Sequence, residues 1–162
     1  MDEFGFAKVA DFVDVHELKE HEQTEYKHLH ELKEKIKSDG ILKKSIAVDK
    51  NTNLVIDGHY RLNALKALGA KKIPVTYFDY QHPQIKVATW REHESITKEQ
   101  VIDAALSGKK FPPKSSRHMI QNNGSSKHIS EFEVQVNIPL DKLKTKGKKA
   151  VGGDNNIKIM WQ

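Results

Sequence analysis

A short apolar run, residues 54–56, leads through Asp57 and Gly58 directly into a helical pattern over residues 60–68. The apolar run predicts a strand, and leucines at every third position predict a helix with one apolar side. Gly69 ends that helix in the usual way. A strand that turns at once into a helix is typical of proteins that mix both element types, so the segment favours an α/β (α+β) fold.

The turn Asp57-Gly58-His59-Tyr60-Arg61 has the chemistry of an anion site. The first N–H groups of a helix have no partners inside it, and the helix dipole places partial positive charge there. Gly58 allows a close approach of the backbone. His59 and Arg61 add donors, and a guanidinium can grip a phosphate with two bonds. We therefore predict that Gly58, His59, Tyr60 and Arg61 bind the phosphates of a nucleotide.

The rest of the chain alternates between predicted strands and helices, which implies a small mixed sheet with flanking helices. Strands are predicted at residues 9–15, 45–48, 73–78, 87–90 and 132–138, with a last edge strand through Ile157, Ile159 and Trp161. The turn cluster at residues 49–53 predicts a hairpin between its neighbouring strands. Helices are predicted at residues 25–37, with Tyr26, Leu29, Leu32 and Ile36 facing the core, and after the capping box Thr97 to Gln100. The polar segment 121–127 is expected to be flexible.

The chain has 162 residues, which predicts one domain, residues 1–143, and a basic, mobile tail, residues 144–162. The absence of cysteine excludes disulfides and thiol chemistry, and fits a reducing cytosol. No apolar run approaches the ~20 residues of a membrane span, and the N-terminus lacks a signal layout, so we expect a cytoplasmic protein. The formal net charge of +5 leaves two partners open, a nucleic acid or a small phosphorylated ligand.

The segment Phe111-Pro112-Pro113-Lys114-Ser115-Ser116-Arg117-His118 is a second candidate anion cradle. Its prolines stiffen the approach, and Ser115 or Ser116 is predicted to cap a helix. Lys114, Arg117 and His118 would place cationic donors beside that cap. Such a cradle suits a phosphorylated product, although spacing alone leaves a plain charged loop equally open.

Two further positions are informative only in context. In His21-Glu22 the carboxylate is a candidate proton acceptor, yet taken alone it reads as one of several solvated acids, with Glu20 as a neighbouring alternative. Trp90 follows a predicted strand and reads as a core residue when taken alone. The histidines show no metal-ligand spacing, so we predict no protein-built metal site.

Together these motifs resemble the ParB/sulfiredoxin superfamily, and within it the free L-serine kinases. Residues 55–69, followed by Ile73-Pro74-Val75, are similar to the nucleotide-binding core of that superfamily. Sulfiredoxin has a cysteine beside this turn, and this chain has no cysteine. The partitioning proteins have a glycine-glutamate-arginine-arginine motif followed by a long helical region, and this chain has neither. The serine kinases carry an upstream histidine-glutamate pair, an aspartate-glycine-histidine-x-arginine turn and a Phe-Pro-Pro-Lys loop ending in arginine-histidine. All three occur here in that order, and the kinship covers roughly Val13 to Leu143.

The resemblance implies a kinase that moves a phosphoryl group from ADP or ATP to free L-serine and yields O-phospho-L-serine for cysteine biosynthesis. It implies catalytic roles for Glu22, Asp57 and His59, with Glu22 as the general base. It also implies substrate contacts from Trp90, Lys114, Ser115, Ser116, Arg117 and His118. Mg²⁺ is expected to accompany the nucleotide, bound mainly by phosphates and water. The alternative is a ParB-like nucleotide-dependent DNA-binding or nuclease-like protein; nucleic acid and membrane partners are not expected for the kinase.

Overall fold

The computed structural model describes residues 11–91 and 94–145, which form nine strands and three α-helices. In chain order they are β1 (Asp11–Asp14), α1 (Tyr26–Asp39), β2 (Ile41–Lys44), β3 (Ile46–Asp49), β4 (Val55–Asp57), α2 (His59–Ala67), β5 (Lys72–Phe78), β6 (Ile85–Ala88), α3 (Lys98–Ser107), β7 (Arg117–Asn122), β8 (Ser125–His128) and β9 (Gln135–Pro139). None of the described helices is long and apolar enough to cross a bilayer.

The central sheet is mixed and has the strand order β1-β5-β3-β4. Strands β3 and β5 run parallel, whereas β1 and β4 are antiparallel to their neighbours. The parallel pair is possible because β4 and α2 form the return connection between its strands. The sheet therefore delivers the end of β4, and with it the turn into α2, to one edge of the molecule.

Two smaller sheets complete the architecture. Strand β2 pairs with β9, and β6, β7 and β8 form an antiparallel three-stranded sheet. The core is divided accordingly. One apolar cluster lies between the central sheet, α1, α2 and β9, and the other lies between the central sheet, α3 and the three-stranded sheet.

Helix ends follow the signals in the sequence. Gly40 and Gly108 end α1 and α3 in the left-handed conformation, and Thr97 with Gln100 forms the predicted capping box. The predicted hairpin of β3 and β4 is confirmed. The predicted α/β fold with a small mixed sheet and flanking helices is also confirmed.

Several local predictions are wrong. Tyr26 is 80% exposed, because it lies in the first turn of α1, beyond the apolar stripe that Ile36 continues into the core. Residues 117–122 form β7 rather than a serine-capped helix. The segment 121–127, expected to be flexible, contains the end of β7, the tight turn at Asn123 and Gly124, which both adopt positive φ, and most of β8. The predicted edge strand at residues 157–161 and most of the predicted tail lie outside the described residues.

Candidate active site

A cleft of about 630 Å³ opens at the edge where β4 passes into α2. This volume lies within the range of small-molecule sites. The cleft collects residues from α1, β4, α2, β8 and the connecting segments between elements. Its lining is formed by Glu22, His28, Leu32, Ile56, Asp57, Gly58, His59, Tyr60, Arg61, Trp90, Lys114, Ser116 and His128.

The N-terminus of α2 forms one wall of the cleft. Gly58 is its N-cap residue, with φ of 109°, and no side chain caps the helix. A Cβ at Gly58 would come within 3.0 Å of Ile46 Cγ2 and 3.1 Å of Arg61 Nη2, so the close approach of β3 requires glycine here. An uncapped helix start that faces a cleft is chemically suited to bind an anion.

Glu22 lines the same cleft, and its segment pairs with the Phe111 loop. The N–H of Phe111 donates to the carbonyl of His21, and the N–H of Gln23 donates back to the carbonyl of Phe111, each at 2.8 Å. This pairing places the Glu22 carboxylate beside the loop, where it accepts a hydrogen bond from the backbone N–H of Lys114. It also accepts one from the Ser116 hydroxyl at 2.9 Å. Burial raises the pKa of Glu22 above its ordinary value, and the hydrogen bonds from Ser116 and Lys114 oppose that rise.

Glu20, the neighbouring alternative, is occupied elsewhere. Its carboxylate accepts a hydrogen bond from Asn63 Nδ2 at 2.6 Å and pairs with Lys66 Nζ at 3.1 Å and Lys110 Nζ at 3.8 Å. Glu20 is not among the residues that line the cleft. Of the two acids, the structure therefore brings Glu22 to the α2 terminus.

Three buried histidine rings lie behind Glu22. The ring centroids of His21 and His59 are 4.5 Å apart, and those of His21 and His118 are 5.8 Å apart. Burial lowers the pKa of His21 to about 4, and burial also lowers the pKa values of His59 and His118 well below the ordinary histidine value. The three rings are therefore neutral at physiological pH.

Ligand atoms of His21, Glu22 and His59 lie within 4.8 Å of one another, a grouping that sequence spacing does not show. These atoms are engaged with the protein itself. The Nε2 atom of His59 accepts a hydrogen bond from the His21 backbone N–H at 3.2 Å, and His21 Nε2 lies 2.8 Å from the Ser116 hydroxyl. We assign no ion to this group.

Arg61 is held by protein groups on the floor of the cleft. Its Nη2 atom donates to Asp57 Oδ2 at 3.0 Å and to Glu133 Oε1 at 2.9 Å, and its Nη1 donates to the Ser45 carbonyl at 2.6 Å. The Glu133 side chain has no exposed surface. The expected grip of Arg61 on a phosphate therefore stays a prediction, whereas its observed contacts tie α2 to Ser45 just before β3, to β4 and to the segment before β9.

Trp90 lies at the mouth of the cleft and is 54% exposed, so it is not a core residue. The Arg117 guanidinium stacks on its ring, 4.9 Å from the centroid. Arg91, next in the chain, donates to the Pro113 carbonyl at 3.0 Å. Trp90 and Lys114 line the cleft, whereas Arg117 is not among its lining residues. Contact of these side chains with a substrate stays a prediction.

Ser115 and His118 do not reach the cleft. The Ser115 hydroxyl turns back to the Pro112 carbonyl. His118 lies on β7 with its ring in the core, where its Nε2 atom is 2.8 Å from the Tyr80 hydroxyl. The expectation that His118 is a cationic donor is wrong, because alternation along β7 turns its side chain inward, away from the side of Arg117.

Several contacts in and around the cleft had no signal in the sequence. Tyr60 accepts a hydrogen bond from the Glu25 N–H at 2.8 Å, and its ring packs edge-on against His28, 4.6 Å between centroids. His128 Nε2 lies 4.0 Å from Asp57 Oδ1. His128 and Glu133 lie more than 70 residues beyond Asp57 and Arg61 respectively, and only the folded chain brings them together.

Comparisons with known proteins show similarity to L-serine kinases. The sequence is 39% identical over 82 residues to the ATP-dependent L-serine kinase of Staphylothermus marinus, a match that covers 48% of this chain and 32% of that protein. It is 35% identical over 83 residues to the ADP-dependent L-serine kinase SerK of Thermococcus kodakarensis, covering 49% of this chain and 34% of that protein. The chain thus spans about a third of the length of the curated relatives it matches. No family model matches the chain.

A solved structure of a variant free serine kinase in complex with ADP superposes with a TM-score of 0.69. The superposition covers 84% of this chain and 94% of that chain, at 17% sequence identity. This chain has the fold of the free serine kinases. The resemblance inferred from the three motifs is thereby confirmed.

Proposed function

We propose that this protein transfers a phosphoryl group from ATP or ADP to the hydroxyl of free L-serine and releases O-phospho-L-serine. One observation carries the proposal: the Glu22 carboxylate and the uncapped N-terminus of α2 line the same cleft. The similarity to an ATP-dependent and an ADP-dependent L-serine kinase supports both the acceptor and the choice of donors.

The donor phosphates occupy the α2 side of the cleft in this proposal. The backbone N–H groups after Gly58 face that space with the positive end of the helix dipole behind them. Arg61 contributes its charge from the floor, although its hydrogen bonds go to Asp57, Glu133 and Ser45. Phosphate binding then depends more on the backbone than on the arginine.

The acceptor serine lies on the Glu22 side. Its oxygen forms the new bond to phosphorus while the bond from phosphorus to the leaving oxygen of the nucleotide breaks, and its proton passes to the Glu22 carboxylate. Burial raises the pKa of Glu22 and so makes the carboxylate a stronger base than an exposed one. Trp90, Lys114 and Arg117 are proposed to orient the serine and its phosphorylated product.

The described residues fit a magnesium ion that arrives with the nucleotide. Mg²⁺ prefers oxygen ligands and keeps several waters. Both oxygens of Glu22 accept hydrogen bonds, from Lys114 and Ser116, whereas the Arg61 hydrogen bond to Asp57 goes to Oδ2, so Asp57 is the cleft carboxylate that would hold the ion. When bound, Mg²⁺ supplies positive charge to the transferring phosphoryl oxygens. We also propose that residues 1–143 are the catalytic domain and that the reaction takes place in the cytoplasm, which the absence of cysteine supports.

A donor and acceptor screen tests the proposal. The protein is incubated with Mg²⁺, L-serine and either ATP or ADP, and phosphoserine is measured by ³¹P NMR. Reactions without acceptor, and with L-threonine, are the controls. We expect phosphoserine with at least one donor. Duplex DNA binding at physiological salt, with no phosphoserine from either donor, would favour the DNA-binding alternative instead.

A further inference from the structure

The Ser116 hydroxyl lies between two groups of the active site. Its oxygen is 2.9 Å from Glu22 Oε2 on one side and 2.8 Å from His21 Nε2 on the other. The carboxylate and the imidazole are themselves 4.0 Å apart. Ser116 therefore connects the Glu22 carboxylate, the proposed base, to the fully buried ring of His21.

Counting protons fixes the direction of these bonds. An ionised carboxylate only accepts, and a hydroxyl has one proton to give. We assign Ser116 as donor to Glu22 and as acceptor from His21, which corresponds to the tautomer of His21 that carries its proton on Nε2. The hydroxyl has no proton left to donate to a phosphate.

His21 is fixed from several directions. Its backbone N–H donates to His59 Nε2 at 3.2 Å, and its carbonyl accepts from the Phe111 N–H at 2.8 Å. Since burial lowers the pKa of His21 to about 4, the ring is neutral and offers one donor. A rigid neutral donor is suited to orient a hydroxyl without adding charge beside the base.

We propose that Ser116 is a positioning residue, anchored by His21, that holds the Glu22 carboxylate in the orientation from which it accepts the proton of the substrate. The inference rests on the proposed serine kinase activity and replaces the expected contact of Ser116 with substrate phosphate. Ser116 acts through Glu22 and does not touch the reacting atoms.

The hydrogen bond also affects the proton affinity of Glu22. Burial raises the pKa of Glu22, and the Ser116 hydroxyl is the first of the groups that oppose this rise. The other groups around the carboxylate are the backbone N–H groups of Lys114, Ser115 and Ser116, the neutral rings of His21 and His59, and the cleft side chains of Asp57, Lys114 and His128. Loss of the hydroxyl leaves these groups in place, so the base becomes protonated at a higher pH.

The test compares Ser116→Ala with Ser115→Ala, a matched control in which the neighbouring hydroxyl donates to the Pro112 carbonyl. We measure kcat for serine phosphorylation against pH. In the profile of kcat against pH, we expect the acidic side for Ser116→Ala to shift to higher pH. At a fixed pH on that side, turnover should fall at least about tenfold, which corresponds to the lower range for a hydrogen bond to a charged group. Ser116→Thr keeps a hydroxyl and should restore the acidic side of the profile, and Ser115→Ala should leave its position unchanged.

An unshifted acidic side in Ser116→Ala, with a raised KM for serine or weaker phosphoserine binding, would overturn the inference and make Ser116 a substrate contact. An equal shift in Ser115→Ala would also overturn it. A ¹³C NMR titration of Glu22 in the wild type and in Ser116→Ala needs no turnover. A higher Glu22 titration midpoint in Ser116→Ala supports the inference even if the chain phosphorylates no serine, and identical midpoints refute it. Failure of the kinase proposal and failure of this inference are therefore distinguishable.

Discussion

Arg61→Ala should destabilise the fold, although the sequence alone suggests a surface residue that grips phosphate. Arg61 pairs with Glu133, whose side chain is completely buried, and also donates to Asp57 and to the Ser45 carbonyl. Burial raises the pKa of Glu133 well above its ordinary value, and the Arg61 charge opposes that rise. Removing the arginine leaves a buried acid without its cationic partner.

The loss of one partner from a buried ion pair costs about 3–5 kcal/mol of unfolding free energy. For a protein of this size each kcal/mol lowers the melting temperature by about 2–4 °C, so we expect a decrease of about 6–20 °C. Urea and thermal unfolding followed by circular dichroism measure both quantities. Arg91→Ala, which removes an exposed arginine with one carbonyl contact, is the control and should stay within about 0.5 kcal/mol.

A double variant sharpens this test. Arg61→Ala with Glu133→Ala removes both charges, so the loss should be smaller than the sum of the two single losses. The reasoning is refuted if Arg61→Ala unfolds like the wild type while its affinity for ADP falls. That result would mean that the arginine turns from Glu133 toward the ligand.

Two further predictions concern the backbone of the turn and the buried histidines. Gly58→Ala should weaken nucleotide binding and lower the free energy of unfolding by more than Gly108→Ala does. Both positions have positive φ, but of the two only Gly58 has side chains within 4 Å of the new Cβ. Equal unfolding free energies of the two variants in urea would contradict the close approach of Ile46 and Arg61 to Gly58. Burial lowers the pKa of His118 in the folded protein well below its unfolded value near 6.5. The contribution of neutral His118 to the free energy of unfolding is therefore complete above about pH 6.5 and is lost as the pH falls toward the folded pKa. His118→Gln should therefore flatten the dependence of stability on pH below 6.5 by about 1.4 kcal/mol per pH unit, and an unchanged slope between pH 7.5 and 5.0 would show that His118 is not buried as a neutral ring.

Local signals in the sequence predict much of the fold because they act over a few residues. The capping box at Thr97, the glycine at position 40 and the turn between β3 and β4 all determine structure through neighbouring backbone groups. The same holds for the turn at Gly58, where strand, glycine and helix start are consecutive. Predictions failed where the sequence pattern does not distinguish the start of a strand from the start of a helix, as at Ser115 and Ser116.

The site could be predicted only in part, because its partners are far apart in the sequence. Glu22 is set apart from Glu20 by its pairing with the Phe111 loop, about 90 residues away, which no local pattern shows. Glu133 as the partner of Arg61 depends on the packing of the segment before β9 beneath α2. The motif order predicted which residues form the site, whereas the orientation of His118 and Ser115 required the strand register.

The most direct test of the central claim is single-turnover transfer to serine in Glu22→Gln and Glu20→Gln. Both variants replace a carboxylate by an amide of equal size, but only Glu22 lines the cleft with the α2 terminus. We expect Glu22→Gln to bind ADP and ATP normally and to form phosphoserine about 10²–10⁴-fold more slowly, the usual loss of general-base help. Glu20→Gln should turn over at close to the wild-type rate. Wild-type rates in Glu22→Gln, or an equal loss in both variants, would contradict the assignment of Glu22 as the base.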